Sequence, residues 1–332
     1  MNTLTITRPD DWHLHLRDGA ELAAVLPFTA QRFARAIVMP NLKPPVTTTA
    51  AALAYRDRIL AALPAGLHFE PLMTLYLTDN TDPDEIDRAM ASGQVSGCKL
   101  YPAGATTNSA AGVTDIRRID AVLERMAERG MVLQVHGELT GEVDIFEREV
   151  RFIEAVLEPT VRRFPKLRIV FEHITTAAAV NYVQSARQGV GATLTPQHLL
   201  HNRNAIFAGG IRPHYYCLPI LKTEADREAL LDAATSGKPR FFLGTDSAPH
   251  SQTAKETSCG CAGMFSAHAG IELYAEAFDT VGRLNRLEGF AAHFGADFYR
   301  LPRNQDMLTL IQDNWSPPPS YAYGSGTIIP MR

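Results

Sequence analysis

The chain has 332 residues, of which 45% are hydrophobic and 20% charged, and its 32 Lys and Arg against 36 Asp and Glu leave a formal net charge of −4. These are globular values, so the chain is neither disordered, collagen-like nor a disulfide scaffold. Mild acidity with no basic stripe offers no phosphate-reading surface, so no nucleic-acid or membrane partner is expected. Four cysteines, Cys98, Cys217, Cys259 and Cys261, are too few for a disulfide framework and fit a reduced, cytoplasmic setting. The Cys259-Gly-Cys261 pair lacks the second pair that a structural zinc site needs. The opening residues, MNTLTITRPDDWHLHLRD, lack the basic-then-apolar order of a signal peptide, and no run of about 18 apolar residues offers a membrane span.

In chain order, short β-rich runs alternate with longer amphipathic ones. Strands are predicted at Asp11–His15, Arg35–Met39, His68–Tyr76, Val95–Tyr101, Met131–His136, Arg168–His173, Val190–Thr195 and Arg240–Gly244. Helices are predicted between them at Ala20–Phe33, Ala50–Leu63, Pro83–Ala91, Asp115–Arg129, Ile145–Phe164, Thr176–Gln188 and Thr223–Thr235. Thr223 reads as an N-cap with Asp226 able to bond back, and Pro83 as a first helical residue. Apolar runs such as MVLQV and IVF suit strands buried on both faces of a parallel sheet. Eight strand-then-helix units match a (β/α)₈ barrel of TIM type, with a doubly wound open sheet as the rival. A single barrel domain over residues 1–332 is expected. Its C-terminal extension, from about residue 280, is helical and then irregular; helices are read at Ala267–Phe278 and Arg283–Phe294 and loop chemistry at SPPPS and GSG.

The unusual residues fall at strand ends. His13 and His15, two apart in a strand, can face one cavity. An H-x-H alone is more often a surface or hydrogen-bonded pair than a metal site. His136 closes the fifth predicted strand, His173 the sixth, and Asp246 follows the eighth. In a barrel these ends form one rim, where active sites collect, and His with carboxylate suits zinc or a similar divalent ion. Lys99 lies inside an apolar strand, where an unpaired charge is costly, so it is paired, neutral or modified, unless it reaches out to solvent. Addition of CO₂ would convert it to a carbamate with two oxygens able to bridge two metals. Arg17, Asn41 and His250 lie just beyond strand ends. Each is ordinary loop chemistry alone, but together they describe an anion pocket suited to a small acidic substrate. His198 and His214 lie near the exit of the seventh strand, where they could line a cleft; His68, His201, His268 and His293 carry no partner pattern. The chain holds no G-x-S-x-G, no G-x-x-x-x-G-K and no G-x-G-x-x-G.

The segments RPDDWHLHLRDG, VMPNL, GCKLYPAGATTNS, VHGE, EHITT, RPHYYCLPILK, LGTDSAPH and KETSCGCAG, spread from residue 8 to residue 263, resemble the dihydroorotases of the amidohydrolase superfamily, in their shorter, stand-alone bacterial class. The resemblance implies a (β/α)₈ barrel and two zinc ions held by His13, His15, carbamylated Lys99, His136, His173 and Asp246. It also implies substrate contacts from Arg17, Asn41 and His250, with Leu218 and Ala262 acting through backbone groups. Thr106 and Thr107 would ride on a mobile loop that closes over the ligand, and the oligomer would be a homodimer. The implied reaction is reversible hydrolysis of the cyclic amide of dihydroorotate to N-carbamoyl-aspartate, a step of pyrimidine biosynthesis, with Asp246 as base and then acid. Hydantoinase-, dihydropyrimidinase- or allantoinase-like chemistry would use a similar metal set on other cyclic amides, but without a need for Arg17 and Asn41. A metal-free structural relative would have lost ligands, and none of the six positions is lost. The deaminase branch leans on one metal and has no need of a lysine at the fourth strand.

Overall fold

The computed structural model describes residues 3–258 and 260–332. A first strand, β1 (Thr3–Thr7), stands apart from the main sheet. Eight strands then pair in parallel in chain order: β2 (Asp10–Leu14), β3 (Arg35–Val38), β4 (Glu70–Tyr76), β5 (Val95–Leu100), β6 (Val132–Val135), β7 (Arg168–Phe171), β8 (Val190–Leu194) and β9 (Phe241–Leu243). The ring closes just past β9, where the Asp246 N–H donates to the His13 carbonyl at 2.8 Å and the His15 N–H to the Ser247 carbonyl at 3.1 Å. The open doubly wound sheet is therefore excluded, and the predicted (β/α)₈ barrel is the fold.

Helices wrap the ring because their starts are capped where the strands hand over. The Asp18 side chain accepts from the first N–H of Gly19–Arg32, Thr48 caps Thr49–Ala61, and Thr176 caps Ala177–Ser185. Thr223 and Asp226 form the expected capping box at Glu224–Thr235. Pro83 sits one position earlier than predicted, as the N-cap of Asp84–Ser92. The long helix expected over 145–164 begins only at Arg148 and passes through a π turn, Ile153–Leu157, before Glu158–Arg163. Pro159 is the physical reason, since it has no N–H for the helical ladder and a π turn absorbs the break.

The tail holds more strand than its composition suggests. β10 (Met307–Ile311) returns across the chain to pair antiparallel with β1, and β11 (Tyr321–Tyr323) pairs with β12 (Gly326–Ile328) in a hairpin. The first expected tail helix is Gly270–Asp279; the second is a 3₁₀ turn, a π turn and the helix Phe294–Tyr299. That last helix covers the end of the barrel at which the strands begin. Tyr299 stacks on Trp12 at 4.7 Å between ring centroids and accepts a 2.8 Å hydrogen bond from Gln134 Nε2. Arg35, which holds Asp10 bidentately, also donates to the Pro302 carbonyl, and Asn304 donates to Asp10. Trp12, Ile37, Leu72, Val132, Val170 and Phe242 fill the lumen above this cover.

Strand β2 breaks the alternation of a flat strand. Its pairing with β3 shifts register between Asp11 and Leu14, which marks an irregularity of the bulge kind. The extra residue lets two consecutive side chains point inward. Trp12 packs into the lumen, and His13 reaches the rings of His15 and His173.

Candidate metal centre and substrate cleft

A cleft of about 350 Å³ opens at the end of the barrel where the strands finish. Its walls include His13, His15, Arg17, Asn41, His136 and His173, followed by Asp246, Thr106, Thr107, Leu218 and Ala262. The cleft thus gathers the seven residues that strand-end position singled out and Thr106, Thr107, Leu218 and Ala262, which the family resemblance implied. Lys99 lies beneath the floor, fully buried, and His250 joins the rim through Arg17. Three of these residues hold backbone conformations that side-chain-bearing residues seldom adopt: Arg17 at φ 61°, His173 at φ 41° and Asp246 at φ 44°. Such strain costs on the order of 1–3 kcal/mol per residue and persists only where the surroundings impose it.

The protons of His15 do not add up without a cation. Asn41 Nδ2 donates to the Thr107 carbonyl at 3.2 Å, so Asn41 Oδ1 is the atom that meets His15 Nδ1 at 2.9 Å, and it accepts. On its other side His15 Nε2 lies 3.1 Å from Asp246 Oδ1, a second acceptor. His13 has a similar placement, with Glu172 Oε2 at 2.9 Å from Nδ1 and Asp246 Oδ1 at 3.3 Å from Nε2, but there, against burial and the Lys99 charge, the two carboxylates carry its pKa above the ordinary value, so with no cation present it can hold a proton on each side. A neutral imidazole carries one proton and cannot serve acceptors on both sides. Burial pushes His15 down to about 4, so a second proton is not held at neutral pH. Once the Nδ1 protons go to Asn41 and Glu172, two ring lone pairs and a carboxylate oxygen converge on one point. Their ligand atoms lie within 4.8 Å of one another. That donor set fits a divalent ion. Glu172 is fixed in turn by the Thr193 hydroxyl at 2.6 Å, the outer support that holds a ligating ring in one tautomer.

The second half of the cluster shows its own unmet groups. The His136 ring stands 4.8 Å from that of His173, which is 4.9 Å from that of His13. His136 spends Nε2 on Glu138 at 2.8 Å, which leaves Nδ1 for the cavity. Burial holds His173 well below its ordinary range and therefore neutral, and its Nδ1 is buried without a partner. Lys99 Nζ is likewise buried with no hydrogen bond, 5.3 Å from the centre of the Tyr101 ring. Burial pushes this amine down to about 8, so a fraction of it is unprotonated near neutral pH, the form that reacts as a nucleophile. An orphaned amine under a histidine cluster is the condition that a carbamate between two ions would relieve. Asp246 stays ionised: burial opposes its charge, but His13, His15 and His173 hold it well below the usual carboxylate range.

The rim carries the anion-binding groups. The Arg17 guanidinium donates to the Pro249 carbonyl at 3.0 Å and meets His250 Nε2 at 3.0 Å. A guanidinium only donates, so this nitrogen of His250 accepts and the ring is neutral; burial with the charges of Arg17 and Lys255 pushes it to about 2. The other side of the ring bonds the Ala262 backbone. The Thr106–Thr107 loop lies against the cleft, tied down by Asn41 to the Thr107 carbonyl and by Asn108 Nδ2 to the Asn41 carbonyl at 3.0 Å.

Several residues escaped sequence reasoning. Glu138 and Glu172, both fully buried, orient His136 and His13, and their signal was an acid beside a strand-end histidine. Tyr101, Ala248 and Gly263 also line the cleft. His198 and His214 do not. His198 is buried between Thr195 and the Pro219 carbonyl, and His214 bonds Glu256 near the surface, because their loop folds them away from the rim. Cys98 and Cys217 are buried free thiols and Cys261 is a half-buried one; Cys259, and with it the Cys-x-Cys pair, lies outside the described residues. Among the described residues no helix is long and apolar enough to cross a membrane.

Comparison with known proteins agrees with this geometry. The model of the amidohydrolase family matches residues 6–282. The chain is 65% identical over 333 residues to the dihydroorotase of Alkalilimnicola ehrlichii, spanning 100% of this chain and 97% of the relative. It is 66% identical to that of Cupriavidus metallidurans over 330 residues, 99% and 96% of the two chains. Among solved structures, dihydroorotase of Saccharomyces cerevisiae in complex with 5-fluoroorotic acid superposes with a TM-score of 0.91 at 32% identity, covering 100% of this chain and 96% of that one. Dihydroorotase of Campylobacter jejuni gives 0.90 at 34% identity over 99% and 94%. L-Hydantoinase of Arthrobacter aurescens, at 0.75 and 17% identity over 90% and 72%, shares the fold. By its sequence, its barrel and the residues gathered at its rim, this chain belongs to the dihydroorotases of the amidohydrolase family.

Proposed function

We propose that this chain catalyses the reversible hydrolysis of the cyclic amide of dihydroorotate to N-carbamoyl-aspartate, a step of pyrimidine biosynthesis. The observation that carries the reading is the gathering of a His13 nitrogen, a His15 nitrogen and an oxygen of the ionised Asp246 within 4.8 Å of one another, with the unpaired Lys99 amine buried nearby and Arg17 on the rim. His13, His15, Lys99 as its CO₂-derived carbamate, His136, His173 and Asp246 would hold two zinc ions. Bound there, the metals supply a water acidified toward neutral pH and a Lewis acid for the amide carbonyl.

The chain's own groups do the rest. Arg17 is a guanidinium able to take a carboxylate bidentately, and Asn41 adds an amide donor once the Thr107 carbonyl moves away with its loop. His250, already spent on Arg17 and Ala262, aims the guanidinium rather than adding charge of its own. With the carboxylate fixed, the ring amide faces Asp246. Asp246 accepts the proton of the attacking water on the carboxylate oxygen not turned to the histidines as the C–O bond forms. The same carboxyl returns that proton to the ring nitrogen as the C–N bond breaks. Ring closure runs these transfers backward. Leu218 and Ala262 offer backbone groups to the ring, and Thr106 and Thr107 cover it and exclude water. The chain would act in the cytoplasm as a homodimer, each copy one barrel domain with its tail as a cover.

Assay of dihydroorotate opening and N-carbamoyl-aspartate closure by the purified chain, alongside its metal content, tests this. Turnover of dihydroorotate with about two zinc ions per chain is expected. A chain that opens dihydrouracil or hydantoin and leaves dihydroorotate untouched would overturn it.

A further inference from the structure

Lys255 is a buried ammonium that the reaction above does not use. It ends the short helix Gln252–Lys255, is 4% exposed, and its Nζ donates to three backbone carbonyls: Tyr216 at 2.9 Å, Cys261 at 2.8 Å and Gly263 at 2.6 Å. No carboxylate pairs with it in these contacts. A lysine so placed spends all three of its protons on main-chain oxygens, which is costly unless the resulting geometry is needed.

The three carbonyls lie on two separate segments. Tyr216 precedes Leu218 by two residues, and Cys261 and Gly263 flank Ala262 on either side. Leu218 and Ala262 are both cleft walls. The two segments are also joined directly, by the Gly263 N–H donating to the Tyr216 carbonyl at 3.0 Å. Gly263 has φ +148°, and a Cβ there would come within 2.3 Å of the Ala248 carbonyl, so the segment can take this path only with glycine.

The peptide plane carries the argument to the ligand. The Cys261 carbonyl and the Ala262 N–H belong to one trans peptide and point in opposite directions. Holding the carbonyl on Lys255 therefore turns the Ala262 N–H away from the lysine. The Ala262 carbonyl is occupied by His250 and, at 3.5 Å, by the Thr107 hydroxyl, while its N–H has no acceptor among the described residues.

We propose that Lys255 is a positioning residue for substrate recognition. By gathering the carbonyls of Tyr216, Cys261 and Gly263, its ammonium fixes the spacing of the Leu218 and Ala262 segments and aims the Ala262 N–H at an acceptor on the bound ring. The inference rests on the dihydroorotate reading above. It acts on binding and leaves the proton transfers of Asp246 alone, so it predicts a split between KM and kcat that loss of fold would not give.

The test is steady-state kinetics of dihydroorotate hydrolysis by the metal-loaded native chain and by Lys255→Met and Lys255→Gln, with metal content measured on the same samples. The expected result is a KM raised about tenfold or more in Lys255→Met, a kcat within about threefold of native, unchanged metal content, and a smaller rise in KM for Lys255→Gln, which keeps one donor group. A KM within about twofold of native in Lys255→Met, or a fall confined to kcat, would overturn the proposal. If Lys255→Met does not fold, Lys255→Gln decides, since an unchanged KM there contradicts the role and a raised KM with native metal content supports it. A native chain inactive on dihydroorotate would instead sink the reading of function.

Discussion

The two ends of the barrel are built by opposite rules. Where the strands begin, Tyr299 stacks on Trp12, the Arg35–Asp10 pair is bidentate and further tied to Pro302 and Asn304, and the lumen is apolar. Where the strands finish, backbones are twisted into the left-handed region, His15 lacks enough protons for its two acceptors, and the Lys99 amine has no hydrogen-bond partner. One end is closed by apolar packing and paired charges, although Trp12 Nε1 and Gln134 Oε1 there are buried without a hydrogen bond. The other gathers histidines, an ionised carboxylate and an unpaired amine around an open cleft.

If that division is right, substitutions at the two ends fail in different ways. The largest effect belongs to Lys99→Ala. It should lose metal and lower kcat/KM by about 10⁴-fold, with partial rescue by short carboxylic acids that stand in for the carbamate. Metal analysis with turnover in added acetate or propionate checks it, and a fully active mutant would remove the bridging role. Asp246→Asn should cost about 10³-fold in kcat with substrate still bound, read by kinetics and substrate titration; near-normal turnover with metals in place contradicts the proton-transfer role.

His198 gives a pH test of the strand-finish end. Burial lowers it from 6.5 to about 4. A base whose folded pKa is lowered is neutral in the fold and takes up a proton on unfolding. Its share of the stability is therefore present above about pH 6.5 and lost as pH falls toward 4, on the order of 3 kcal/mol in all. Urea melts across that window should show the loss, and His198→Gln should flatten it. An unchanged slope would place the acid sensitivity elsewhere.

At the opposite end, Gly295→Val should destabilise by about 1–3 kcal/mol with metal content retained, because a Cβ there would meet Trp12 Nε1 at 1.9 Å. Loss of metal before loss of fold would blur the separation between the ends. Arg162→Ala sets the baseline. It breaks an exposed i,i+4 pair with Glu158 and should change stability by less than about 0.5 kcal/mol in the same melts.

The barrel was legible because its strands are apolar runs bounded by turns, a local signal. β1 and β10 were not, although TLTIT and MLTLI alternate, because each finds its partner some 300 residues away and half of each faces solvent. The π turn at Ile153–Leu157 follows from a proline whose effect depends on the helix around it. At the cleft, chemically costly types announced themselves: histidines at strand ends, a lysine in an apolar strand. Glu138, Glu172 and Lys255 did not, because an acid or a lysine beside a loop is ordinary until its burial and partners are seen. His198 misled for the same reason.

The irregular β2 strand makes the stretch from Asp10 to Arg17 a ruler of fixed length. Its extra residue sends Trp12 to the cover and His13 to the histidine cluster from adjacent positions. Deleting one residue here would restore strict alternation and force the chain to give up either the aromatic stack or the place of His13 in the cluster. Adding one would turn His15 outward. A loop at the cleft can shift its own wall residue without moving its neighbours, whereas a change of count in this strand moves the cover and the cluster together.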